Sequence, residues 1–496
     1  MGTPTILLGV RVVDPLLETD RVADVLVADG IVQRIEASGS ALMWPEHPNS
    51  GVSGTAVIPP RPTDEYLLVP GLVDSHTHAF GSAGVSRADA IGVEAGVPSI
   101  VDAGGAGAAT IEDFVSLRVE PSKTDIYSLL SIECGGVTDR HMQHNTTKRA
   151  EQMVTSSIDS FLGAIDRHCE IVVGLKLWSS TRAGLRWIDH GVNLSEMTSL
   201  PMMVHVGENI EGSEESSVRF TGDVLDRLQG GDVVTHSFTG LRGSLVSEHG
   251  KVAAEVIAAR DRGVLFDIAP GLENLCFDRA TAALESGWIP DTISSDVHKW
   301  MTAQYDSPAL LRVMSSFLAL GLSLPRTIQC ASTNAASAFG ITTGRPMVGS
   351  VATLSLLSLD RTPTIFSDGV KSIYGAVNLG PVGCFLRGEW IEAGTTVVAS
   401  EPEDGLWAPD VDRERFFEAL SVELSHHRDH DDRWRGLELH QLVHRARRDC
   451  RLSIADAIRS FYAEMAPEDA NIPVGWFLEE LGPGETIKRL ELAQTR

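Results

Sequence analysis

The chain has 496 residues, 43% hydrophobic and 22% charged, with 46 glycines and a formal net charge of -26 from 67 acidic and 41 basic side chains. This is the composition of a soluble globular α/β protein long enough for a large catalytic domain and smaller ones, and it excludes a disordered or fibrous chain. So acidic a chain repels polyanions and no basic patch offsets the field, so nucleic acid is not expected as a partner.

Six cysteines, Cys134, Cys169, Cys276, Cys330, Cys384 and Cys450, stand singly with no CxxC pair. That usage predicts reduced thiols and a cytoplasmic location rather than a disulfide framework. Residues 1–13 lack the basic and apolar regions of a signal peptide, and no run reaches the roughly 18 apolar residues of a membrane span, so neither targeting nor membrane association is expected.

Residues 5–37 alternate between β-rich runs and turn signals such as Asp29-Gly30, which predicts short antiparallel strands. A Pro/Gly/Ser-rich loop over 45–62 precedes a new regime at Leu67-Leu68-Val69-Pro70-Gly71. Eight short apolar, β-branched runs then follow at 72–78, 99–103, 126–133, 171–177, 202–206, 232–236, 264–268 and 292–296. Most end in a polar residue and are separated by enough chain for a helix. The pattern predicts an α/β fold built on a (β/α)8 TIM-type barrel with its active site at the C-terminal strand ends.

Residues 308–340 read as helical, and 349–393 return to β character. These last strands are expected to rejoin the first ones in a composite β-sandwich domain made from both chain ends. Beyond residue 401, Phe416, Leu420 and Leu424 share one helical face and Ile454, Ile458, Phe461 and Met465 another, predicting a C-terminal helical appendage. The expected division is 1–66 and 346–400 for the β-domain, 67–345 for the barrel and 401–496 for the appendage.

His76 and His78 lie two apart on a strand, so both side chains leave the same face and can reach one cation. Such a pair is common by itself. Further ligand-type residues stand at later strand ends: Lys176, His205, His236 and Asp296. With Pro70-Gly71-Leu72-Val73-Asp74-Ser75-His76-Thr77-His78 and Ile293-Ser294-Ser295-Asp296, they make residues 5–395 resemble the amidohydrolase superfamily, in its deacetylase/dihydroorotase-like group.

The resemblance implies two divalent metal ions, zinc by expectation, with a carboxylated Lys176 as bridging ligand. His76, His78 and Asp296 would bind one and His205 and His236 the other. A carbamate turns a cationic side chain into an anionic bridge for cations about 3.5–4 Å apart, and the pair activates a hydroxide at neutral pH. Asp296 is then the catalytic residue, taking the hydroxide proton to the leaving group. The implied activity is cleavage of an amide or ester in a small N-acyl or O-acyl molecule. A cyclic-amide hydrolase and a catalytically dead metal-binding scaffold acting through partners are the alternatives, and a homo-oligomeric state is left open.

Each assignment has a plainer counterpart. Lys176 could simply send its ammonium to solvent. Glu133, ending the third run, is the rival ligand, since some relatives use a glutamate there. Glu208 and His298 could orient an imidazole or contact substrate, or be ordinary loop residues. His426, His427 and His430 lie in a charged run that reads as a solvated linker. Trp178 stands where the deacetylase group often carries an arginine, which suggests an apolar contact or barrel packing, and the loop from Ala269-Pro270-Gly271 also departs from that group. Thr353 stands where many relatives have aspartate.

Overall fold

The computed structural model describes residues 3–48, 55–58, 65–81, 83–136, 155–179, 181, 183–207, 213–247, 250–302 and 309–394, with 417, 420–422, 424, 486, 488 and 489. The chain divides into one compact unit of Met1–Phe366 and Ile373–Val398 and a second of Ser367–Ser372 and Ala399–Arg496. In the second, Phe417, Leu420 and Leu424 are helical and fully buried, as an amphipathic helix requires. Most of the rest of the expected appendage, including Phe416, the face of Ile454 to Met465 and the three-histidine run, lies outside the described residues.

Strands β1 (Thr5–Asp14), β2 (Thr19–Ala28) and β3 (Ile31–Ala37) form an antiparallel meander. β2 turns into β3 through Asp29 and Gly30, whose φ values of 52° and 80° belong to the primed turn that matches strand twist. β4 (Ala56–Ile58) and β5 (Glu65–Pro70) both run parallel to β1.

Seven parallel strands follow: β6 (Val73–Thr77), β7 (Ser99–Gly107), β8 (Asp125–Ser131), β9 (Val172–Trp178), β10 (Met202–His205), β11 (Val233–Thr235) and β12 (Leu265–Phe266). From β8 onward the crossovers carry helices Ile158–Arg167, Leu185–Thr198, Glu214–Leu225 and Ala254–Asp261, and Phe277–Glu285 follows β12. Parallel neighbours need such connections because their ends lie on opposite sides of the sheet. Ser157 and Ser213 cap two of these helices by accepting from Ser160 N and Ser216 N. The chain then gives β13 (Leu354–Asp360), β14 (Thr364–Ser367), β15 (Ser372–Gly375), β16 (Asn378–Leu386) and β17 (Glu389–Glu392).

The N-terminal strands and the strands of 354–392 meet in one eight-stranded mixed sheet ordered β17-β16-β13-β5-β1-β2-β3, with β4 on β1. β5 is its pivot, parallel to β1 and antiparallel to β13, so this sheet extends to Pro70, three residues before the first parallel strand begins at Val73.

The parallel sheet accounts for seven of the eight expected runs. The eighth, 292–296, forms no regular strand, yet it bridges both edges of the sheet: Thr292 pairs in parallel with Asp267 beyond β12, and Val297 with Thr77 of β6. Asp296 N donates to His76 O at 2.7 Å and His78 N to Val297 O at 2.8 Å. The concave floor is an apolar cluster of Val73, Val101, Ala103, Leu129, Met203 and Val233, closed by Phe339 and Ile341 after the short helix Thr333–Ala338. A separate, larger core lies between the strands and the surrounding helices. Among the described residues no helix is long and apolar enough to cross a membrane.

Candidate metal centre

β6 is buried along its whole length. Its pairing with β7 is irregular between Asp74 and Thr77, and such a bulge re-aims side chains, so that Val73 joins the apolar floor while His76 faces the polar strand ends. His76 Nε2 stands 3.4 Å and His78 Nε2 3.0 Å from Asp296 Oδ1. Ligand atoms of these three residues all lie within 4.8 Å of one another.

Lys176, on β9, is buried, and its Nζ reaches His76 Nε2 at 3.0 Å and Met203 Sδ at 3.4 Å. Burial pushes its amine down to about 8, which enlarges the neutral fraction that can react with carbon dioxide. His236 follows β11, its ring centroid 5.3 Å from that of His76 and 4.4 Å from that of His205 at the end of β10. His236 Nδ1 meets Ala269 O at 2.7 Å, a bond that fixes the ring and leaves Nε2 for a ligand. Burial lowers His76 well below the ordinary imidazole range and His236 to about 4, so both are neutral, as metal ligation requires. Burial alone would raise Asp296, but the imidazoles of His76, His78 and His236 hold it well below the usual carboxylate range.

His236, Ala269 and Asp296 have φ of 71°, 41° and 54°, a region costly for residues with a side chain. All three follow strand-like segments at the same end of the sheet, and strain of this sort collects where a structure holds groups for chemistry. Gly271 has φ of 52° and faces Asp296 Oδ2 so closely that a Cβ would collide with it. This part of the loop that departs from the deacetylase group therefore packs directly on the aspartate.

Carboxylates to which the sequence reading gave no role support the cluster. Asp74 accepts from Ser295 N at 2.9 Å and Ser295 Oγ at 2.5 Å, tying β6 to the 292–296 segment. Asp102 accepts from the backbone N–H of Ala79, Phe80 and Gly105, which pins the turn after His78. Asp267, just beyond β12, accepts from Thr235, Thr292 and Ser294 hydroxyls. Each lies within a run that marks a strand, but their partners come from other strands, so no local pattern announces the contacts.

Glu133 is buried past the end of β8 and is not part of the convergent group found among the described residues. Trp178, buried at the end of β9, lies with its ring centroid 6.3 Å from that of His205. His298 is half-buried, and desolvation pushes its imidazole down to about 4. Glu208 lies outside the described residues.

The donor set suits a divalent cation: two imidazoles and a carboxylate, with the separations from Asp296 Oδ1 near the value of about 3.4 Å that tetrahedral bonds of about 2.1 Å produce. Residues 67–378 match the amidohydrolase family. The chain belongs to the amidohydrolase family. It is a metal-dependent hydrolase that acts on carbon–nitrogen bonds. Relatives of this amidohydrolase include a protein named deacetylase from Brucella anthropi, 30% identical over 299 residues, which are 59% of this chain and 71% of that one. Deacetylase Atu3266 of Agrobacterium fabrum is 30% identical over 277 residues, 55% of this chain and 65% of that one. A crystal structure of a dihydroorotase superposes with a TM-score of 0.65 at 24% identity, over 79% of this chain and 98% of the other, a likeness of fold.

Proposed function

We propose that this amidohydrolase is a deacylase that removes an acyl group, acetyl by preference, from a small N-acyl or O-acyl molecule at a dinuclear, zinc-loaded site. The reading places the site in a (β/α)8 barrel spanning about 67–345, with 1–66 and 346–400 as a flanking β-domain and 401–496 as an appendage. The observation that carries it is the convergence of His76, His78 and Asp296 with Lys176 Nζ 3.0 Å from His76 Nε2, because an amine buried against a metal ligand is placed to become a shared one. The deacetylase names of the two relatives support the choice of acyl substrate.

In this reading His76, His78 and Asp296 would hold one cation and His205 and His236 the other, and Lys176, as its carbamate, would supply a shared anionic ligand. Two bound divalent cations lower the pKa of water towards neutrality and polarise a carbonyl. Asp296 takes the proton of the attacking water and returns it to the leaving nitrogen or oxygen, so hydrolysis yields a carboxylate and a free amine or alcohol. Its Oδ1, 3.0 Å from His78 Nε2, is held in place by the backbone bond of Asp296 N to His76 O.

The test joins metal analysis with an acyl screen. Purified protein is expected to carry close to two zinc per chain and to release two products from an N-acyl or O-acyl substrate. Asp296→Asn is expected to keep most of the metal and lose at least about 100-fold in turnover, the lower range for a general acid–base group. Metal content near zero without chelators, or a single ring-opened product, overturns the proposal.

A further inference from the structure

We infer that Asp267, acting through the Thr235 hydroxyl, is a positioning residue that sets the tautomer of His76 and thereby leaves Nε2 free to bind the cation. The inference rests on the proposed reading of His76 as a ligand, and it concerns two residues to which that reading gives no part.

The argument is a count of protons. Asp267 is fully buried, and its two oxygens face three hydroxyls: Oδ1 accepts from Thr292 at 2.7 Å and Ser294 at 2.9 Å, Oδ2 from Ser294 at 2.8 Å and Thr235 at 2.8 Å. With three hydroxyls turned to its two oxygens, Asp267 is placed as an acceptor; as a carboxylate it has no proton to give, so Thr235 spends its single hydroxyl proton on Oδ2. The Thr235 oxygen is then available only as an acceptor towards His76 Nδ1, 3.0 Å away. His76 therefore carries its proton on Nδ1, and Nε2, facing Asp296 Oδ1 at 3.4 Å and Lys176 Nζ at 3.0 Å, keeps its lone pair. Thr235 and His76 are as deeply buried as Asp267, so no solvent is at hand to supply another partner. The strand that offers Thr235 also leads to His236, so one short element serves both proposed ligand sets.

Two substitutions break the relay differently. Thr235→Val keeps the shape of the side chain but offers Nδ1 no acceptor. Asp267→Asn keeps the acceptor at Oδ1 for Thr292 and Ser294 and turns an NH2 towards Thr235; the hydroxyl must then reverse and donate to Nδ1, which moves the His76 proton onto Nε2. Thr235→Ser retains the hydroxyl and is the rescue.

The experiment reads the tautomer directly, by nitrogen-15 NMR of ring-labelled, metal-stripped protein with His76→Gln to assign the signal, and zinc affinity by competition with a chelator. Wild type and Thr235→Ser are expected to show Nδ1–H. Thr235→Val is expected to lose that preference and Asp267→Asn to invert it, each with zinc affinity about 10- to 100-fold weaker, the usual effect of losing a group that orients a ligand. An Nε2–H tautomer in wild type, or Nδ1–H unchanged in folded Thr235→Val, overturns the inference. Absence of zinc binding by wild type overturns the metal reading and its affinity consequence, while the tautomer still decides the role of Asp267.

Discussion

At the scale of single residues, the centre depends on buried carboxylates that never touch substrate. Asp74 draws two hydrogen bonds from Ser295, one from the backbone and one from the hydroxyl. Ser295→Ala would leave a fully buried carboxyl short of a donor, and a group so deprived costs about 1–3 kcal/mol. The expected result is a lower denaturation midpoint with unchanged slope in urea; an unaltered midpoint would mean that Asp74 finds its second donor elsewhere. The sequence named His76, His78, Lys176, His205, His236 and Asp296 because strand ends carrying ligand-type side chains form a recognisable series. It assigned no role to Asp74, Asp102, Thr235 or Asp267, whose contacts join segments far apart in the chain. The left-handed conformations of His236, Ala269 and Asp296 likewise escaped the sequence, since none is glycine and Asp and His, though more tolerant of that region, adopt it only at a minority of positions.

At the scale of elements, the strand that carries Lys176 also carries Gly174, two positions earlier and on the same side. A Cβ at Gly174 would come within 2.8 Å of both Leu129 Cδ2 and Pro201 O. The leucine tip can turn aside, but the carbonyl is part of the backbone before β10, so β9 and β10 must separate. Gly174→Ala is therefore expected to cost about 1–3 kcal/mol, the usual range for overpacking, and to reduce metal content by displacing Lys176 from His76. A variant with full stability and full metal loading would show that the two strands yield freely. Seven of the parallel strands were legible as β-branched runs. The eighth was legible as a position rather than as a strand: 292–296 makes isolated bridges instead of a ladder, because Ser294 and Ser295 commit their hydroxyls to Asp267 and Asp74 and Asp296 takes a left-handed turn. The meander at the start was readable down to its Asp29-Gly30 turn, whereas the pairing of β5 with β13 was readable only as an expectation that the two ends meet.

At the scale of the whole molecule, the cysteines report on how tightly the first unit is packed. Cys330 and Cys384 are buried, and burial pushes both thiols up to about 12, so at pH 8 they remain protonated as well as shielded. Cys169 is exposed. Titration of native protein with an aromatic disulfide at pH 8 is expected to show a fast phase that is one thiol smaller in Cys169→Ser, with Cys330 and Cys384 reacting only after denaturant is added. Rapid labelling of Cys330 or Cys384 in native protein, identified by mass spectrometry, would show that the core opens readily.

The bridge that closes the parallel sheet also sets an order in time. Ser295 grips Asp74 across 221 residues of chain, so the histidine pair is synthesised long before the aspartate that completes it. At translation rates of about 5–20 residues per second, that interval is on the order of ten to forty seconds. Throughout it the nascent chain carries the edge of β6 without its closing partner and the histidine pair without its aspartate. The histidine pair thus waits for its aspartate until late in synthesis, and the strand edge that the closing segment covers stays open until that segment has emerged.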